Sequence, residues 1–139
     1  MNYLLDTCVI SELVAKRPNP QVVEWVDALD NDQAYLSVIT IGKISKGIEK
    51  LPETNRKHAL NEWLKRDLLA RFQGKILLLD TDVLIEWGKL TARLENNGQT
   101  MPAIDSLIAA TALAHHMTLA TRNIADFEAT GVKLIDPWA

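Results

Sequence analysis

The chain has one cysteine, Cys8, so it can form no intrachain disulfide, and a cytoplasmic location is the default expectation. It has no apolar run of the ~18 residues that a membrane span requires. No basic stretch precedes a long apolar segment at its start, so no secretory leader is expected. Its three histidines, His58, His115 and His116, show no zinc-ligand spacing with Cys8. It also lacks an excess of positive charge. A net charge of −3 over 139 residues argues against a generally basic nucleic-acid binder. No repeat, linker or low-complexity tract interrupts it, which points to one domain over residues 1–139.

Charge is present but unevenly spread. Residues 42–75 hold nine basic and four acidic side chains, whereas residues 1–32 hold two basic and six acidic and residues 76–139 four and eight. A basic middle in an acidic chain is either an electrostatic footprint for phosphate or a solvated helix face. Lys46 and Lys50 are the candidates for phosphate contact.

Short apolar runs alternate with helical patterns. Strands are expected at Tyr3–Leu5, Tyr35–Ser37, Ile76–Leu79, Thr118–Ala120 and Lys133–Ile135. Helices are expected at Ile10–Val14, Pro20–Leu29, Ile41–Lys50, Thr54–Phe72, Asp82–Asn96 and Pro102–His115, with a short turn at Ile124–Ala129. Pro20 and Pro102 suit a first helical turn, and Gly98 suits a helix stop. The rhythm is that of an α/β protein, a parallel sheet with helices on both faces.

Three acidic signals fall near the ends of these elements. Asp6 closes the first strand and is followed by Thr7. Asp105 lies in Ile104-Asp-Ser-Leu-Ile-Ala-Ala, on the helix entering the fourth strand. Asn123 and Asp126 follow the fourth strand and Thr121. Ligands in open parallel sheets gather beyond the carboxyl ends of the strands, where strand order reverses. If the first and fourth strands are neighbours, all three signals meet, and crowded carboxylates there would hold a hard cation, Mg²⁺ or Mn²⁺. Phosphodiester chemistry is the natural use of such a pocket. Each signal also has a plainer reading. Asp6 can cap the next helix, Asn123 and Asp126 can form a capping pair, and Asp105 can simply face water. The string Asp80-Thr-Asp-Val83 matches a phosphatase nucleophile motif, but too little chain follows it for the remaining parts, so Asp80 or Thr81 is read as a helix cap.

Five segments taken in order resemble the PIN-domain family, specifically VapC-type toxins and their FitB-like branch. They are Leu4-Leu-Asp-Thr-Cys-Val-Ile-Ser-Glu12, Leu36-Ser-Val-Ile-Thr-Ile-Gly42 with Lys46-Gly-Ile48, Ile104-Asp-Ser-Leu-Ile-Ala-Ala-Thr-Ala112, Leu119-Ala-Thr-Arg-Asn-Ile-Ala-Asp-Phe127 and Asp136-Pro-Trp138. The resemblance implies a five-stranded parallel sheet with the first strand beside the fourth. It also implies a Mg²⁺-dependent endoribonuclease, a homodimer or larger toxin–antitoxin assembly, and a small antitoxin partner. On that basis Asp6 and Asp105 are the metal ligands, Asn123 or Asp126 assists, and Thr7 and Thr121 orient water or phosphate.

Two positions depart from the family's pattern. Cys8 stands where an asparagine is usual. Lys43 stands where the resemblance places a second acid, a glutamate that would bind metal and complete a capping box with Thr40. Lysine there is also expected to put positive charge in a helix's first turn, against the macrodipole. Lys43 is either a solvated member of the stripe Lys43, Lys46, Lys50, or it faces the pocket and weakens metal binding. The reading is a ribonuclease toxin impaired by Lys43; the alternative is a catalytically inactive module of the same fold that binds antitoxin or RNA.

Overall fold

The computed structural model describes every residue from Met1 to Ala139. Five parallel strands form one sheet: β1 (Tyr3–Leu5), β2 (Ala34–Ser37), β3 (Ile76–Leu77), β4 (Thr118–Ala120) and β5 (Leu134–Ile135). Their order is β3-β2-β1-β4-β5, with Tyr3 opposite Ala34 on one side and Thr118 on the other. The chain builds outward from β1 to β3, then crosses back to place β4 against the free side of β1. Strand order therefore reverses between β1 and β4, as the PIN-like topology requires.

The helices are α1 (Thr7–Leu13), α2 (Pro20–Asp27), α3 (Val38–Glu49), α4 (Asn55–Glu62), α5 (Leu69–Arg71), α6 (Thr81–Asn96), α7 (Ala103–Ala114) and α8 (Ile124–Phe127). Their starts follow from short polar side chains. Asn19 caps α2 with Pro20 at its first position, Ser37 caps α3 through the Ile39 N–H at 3.1 Å, and Asp80 caps α6 through the Val83 N–H at 3.0 Å. Gly98, with φ +71°, ends α6, while the Gln99 N–H donates back to the Leu94 carbonyl at 2.8 Å.

Successive strand residues face opposite ways, and the two cores divide accordingly. Leu5 packs with Val9, Ile10, Leu36, Ile44 and Ile48 on one face; Leu4 packs with Leu90, Leu94, Ile108, Leu119 and Phe127 on the other. Truncating a fully buried leucine such as Leu4 costs on the order of 2–5 kcal/mol, so both faces hold β1 firmly in the middle of the sheet.

Several boundaries differ from the sequence reading. α1 starts at Thr7 rather than Ile10, and α3 at Val38 rather than Ile41. In both cases a cap on the last strand residue or just beyond it starts a helix directly, through β-branched residues that disfavour one. The cap of α3 is Ser37, so Lys43 lies in the second turn, not the first. The expected Thr40 capping box and the dipole penalty at Lys43 do not arise. Residues 54–72 are helical but not uniformly α, with a π segment at Trp63–Leu68. Pro102 is the residue before α7 rather than within it. β3 stops at Leu77, leaving Leu78 and Leu79 exposed. Asn123 makes no side-chain cap, so the capping pair with Asp126 does not form.

Candidate active site at the carboxyl ends of strands one and four

The ladder between β1 and β4 runs one residue past β1, because the Asp6 N–H donates to the Ala120 carbonyl at 2.9 Å. Asp6 and Thr121 thereby stand side by side just beyond the strand ends. The Thr121 hydroxyl donates to Asp6 Oδ2 at 2.8 Å, and the Thr7 N–H donates to Oδ1 at 2.8 Å. Asp6 is only 5% exposed. Its carboxylate caps α1, so the capping reading holds, and it does so at the strand end where the site reading places it. Thr121 in turn accepts the Asn123 N–H at 3.0 Å, which fixes the turn after β4.

Asp105 arrives by a different route. α7 feeds β4 and runs antiparallel to it, so its first turn lies at the carboxyl end of β4. Asp105 occupies that turn, where the helix dipole favours a carboxylate. Burial raises its pKa above the ordinary carboxylate value; Lys43 opposes that rise, and Asp6 and Asp126 add to it by charge repulsion. Asp6, Asp105, Asp126 and Lys43 therefore share one field. Lys43 forms no ion pair within 4.0 Å, and its side chain is exposed. It lies across a concavity of about 530 Å³ from Asp105, with Lys46 and Lys50 along the same α3 face.

The donor chemistry suits a hard divalent cation. Two carboxylates repel across a partly buried crevice, and a magnesium ion that keeps several waters needs only one or two of them. No three acidic, cysteine or histidine side chains converge as a metal cage. Lys43 places a positive charge where further negative charge would favour a cation.

The residues from 3 to 133 match the PIN domain family model. The chain belongs to the PIN-domain family. Relatives of this PIN-domain chain include Toxin FitB of Neisseria gonorrhoeae, 38% identical over 97% of each chain. VapC ribonuclease Y4jK of Sinorhizobium fredii is 36% identical, over 97% of this chain and 96% of that protein. The solved structure of FitAB bound to a DNA fragment has a chain that superposes with a TM-score of 0.92 at 37% identity, covering 99% of this chain and 96% of that one.

Within this PIN-domain fold the expected residues divide in two. Asp6, Thr121 and Thr7 are locked by hydrogen bonds, the Thr7 hydroxyl contacting buried Thr40 at 3.4 Å. Asp105 and Asp126 share a second concavity of about 410 Å³; Asp126 is exposed there, and Asn123 is exposed but lies outside its lining. Cys8 belongs to the network as well. Its sulfur lies 3.8 Å from Asp6 Oδ2 and 3.7 Å from the Thr121 hydroxyl, and accepts the Arg122 N–H at 3.5 Å. Burial, the larger cause, and the Asp6 charge push its thiol pKa up, so it remains protonated beside the carboxylate at neutral pH. The sequence reading missed the loop residues Gln99, Met101 and Pro102 that line the second concavity. Their only sequence signal is a polar turn immediately before the helix that carries Asp105.

Proposed function

We propose that this chain is a ribonuclease toxin of the VapC type, acting in the cytoplasm and held in check by a small antitoxin. The observation that carries this reading is the placement of Asp6 at the reversal point of the sheet, with Asp105 near enough to feel its charge, beside a lysine-lined concavity. It is supported by relatives named FitB toxin and VapC ribonuclease that match this chain nearly end to end.

In this reading Asp6 and Asp105 hold Mg²⁺ (or Mn²⁺), with Asp126 or Asn123 at the rim. The ion supplies a Lewis acid for phosphodiester hydrolysis. The chain's own residues do the positioning. Thr121 and the Thr7 N–H fix the Asp6 carboxylate, and the Thr7 hydroxyl faces Thr40 at the crevice edge. Lys46 and Lys50 bind RNA phosphates leading to the site. Lys43 lowers the site's affinity for a divalent ion, so the chain as written cleaves poorly.

A homodimer completes the proposal. Leu78, Ile85, Leu84 and Leu79, 65, 54, 39 and 37% exposed, cluster at the end of edge strand β3 and the start of α6. A second copy covering this face removes that apolar area from water. Light scattering of the chain and of Ile85→Asp checks it: a dimer should become a monomer.

Growth tests the function. Overproduced Lys43→Glu protein should arrest cells much more strongly than the chain as written. Adding Asp105→Asn should restore growth. Arrest that persists without Asp105 would contradict the assignment.

A further inference from the structure

Asp105 forms a wall shared by two concavities of opposite character. The first, on the α3 side, presents Lys43, Lys46 and Lys50. The second, of about 410 Å³, presents Gln99, Met101, Pro102, Ala125 and Asp126 and contains no cationic side chain. Its volume lies in the range of roughly 300–1,000 Å³ usual for small-ligand pockets. Both of its walls are tied to α6. Gly98 and the Gln99 N–H fix the loop wall at the helix end, and the Arg93 guanidinium donates to the Ala129 and Thr130 carbonyls, at 3.3 and 2.8 Å, behind the opposite wall. The pocket is therefore built before any ligand arrives.

Charge and shape limit what can enter. Two carboxylates with no cation repel a phosphate. Met101, Pro102 and Ala125 give the pocket apolar surface of the kind a planar, neutral ring lies against. The polar edge accepts more than it donates: the Asp126 and Asp105 carboxylates only accept, and the Gln99 amide and Thr100 hydroxyl do both. A carboxylate is best matched by two adjacent N–H donors, as on the N1–H and 2-amino edge of guanine. Uracil offers one N–H between two carbonyl oxygens.

We propose that this second concavity is a nucleobase subsite, read chiefly by Asp126 and Gln99, that selects guanine in the nucleotide next to the phosphate at Asp105. The lysine concavity then holds the backbone on one side of that phosphate, and the base is read on the other. This rests on the ribonuclease reading and gives it a sequence preference.

Binding tests it without cleavage. Fluorescence anisotropy in EDTA would compare labelled hexauridylate with versions carrying one internal A, C or G. The guanine oligonucleotide should bind about tenfold more tightly than hexauridylate, the discrimination of one good bidentate pair. Gln99→Ala and the pocket-filling Ala125→Leu, both at exposed positions, should each abolish that preference, so that the guanine oligonucleotide binds each variant no more tightly than hexauridylate does. Equal affinity for all four oligonucleotides would overturn the subsite and leave the ribonuclease reading intact. So would pocket variants that weaken all four in equal proportion. No RNA binding under any condition would overturn both.

Discussion

Replacing Lys43 with glutamate should raise Mg²⁺ affinity by well over an order of magnitude. The substitution changes the local charge by two units, and the ion it faces carries two. Lys43 makes no ion pair within 4.0 Å yet acts on Asp105 across the concavity, so charges about 8 Å apart, twice the ion-pair limit, set the scale of the effect. The side chain is exposed, so water-like screening is the cautious choice, which gives about 2 kcal/mol and roughly a thirtyfold gain in affinity. A glutamate oxygen that reaches the ion would add to this. Isothermal calorimetry on both proteins at low salt measures the difference directly, and Glu at an exposed helical position should not disturb the fold. Equal affinities would show that the Lys43 ammonium does not govern the carboxylate pair, and the argument for impairment would fail.

Other outcomes follow from single contacts. Thr121→Val leaves buried Asp6 Oδ2 with only the weak Cys8 thiol as donor and should cost about 1–3 kcal/mol in urea unfolding; no loss would mean that water replaces the hydroxyl freely. Asp105 has a raised folded pKa, so its ionised form destabilises the fold once pH rises through that value. Asp105→Asn should therefore raise the melting temperature at pH 7, with the gain vanishing below the unfolded carboxylate pKa; a variant less stable at pH 7 would contradict the burial and repulsion assigned to this group. Neutralising Lys46 and Lys50 together should reduce the log–log salt slope of RNA binding by about 0.7–0.9 per lost contact, and an unchanged slope would make them a solvated helix face.

The candidate residues at the strand ends were legible, and the strand adjacency that brings them to one end of the sheet was not. Asp6 is marked by the apolar Tyr3-Leu4-Leu5 before it, and Asp105 by an apolar helix that gives a carboxylate little reason to be there. Nothing in either segment says that β1 lies beside β4. That adjacency depends on long-range pairing, Leu5 with Ala120, which the family resemblance anticipated and the strand order bears out. Local misreadings have local causes. Val38, Ile39 and Thr40 are β-branched and fell between the expected strand and helix, yet Ser37 starts α3 before them, which moved Lys43 a turn deeper into the helix than expected. Leu78 and Leu79 continue an apolar run, but no partner residue extends the edge strand beyond Leu77. The second concavity had no motif at all, because three elements of different sequence position contribute its walls.

The most direct measurement is cleavage of a structured RNA in Mg²⁺ by the Lys43→Glu protein, with and without Asp105→Asn. Fragments should appear with Lys43→Glu alone, disappear in EDTA, and be absent when Asp105 is also replaced. Cleavage that survives EDTA or the loss of Asp105, or no cleavage by Lys43→Glu at all, would contradict a metal-dependent ribonuclease site at Asp6 and Asp105.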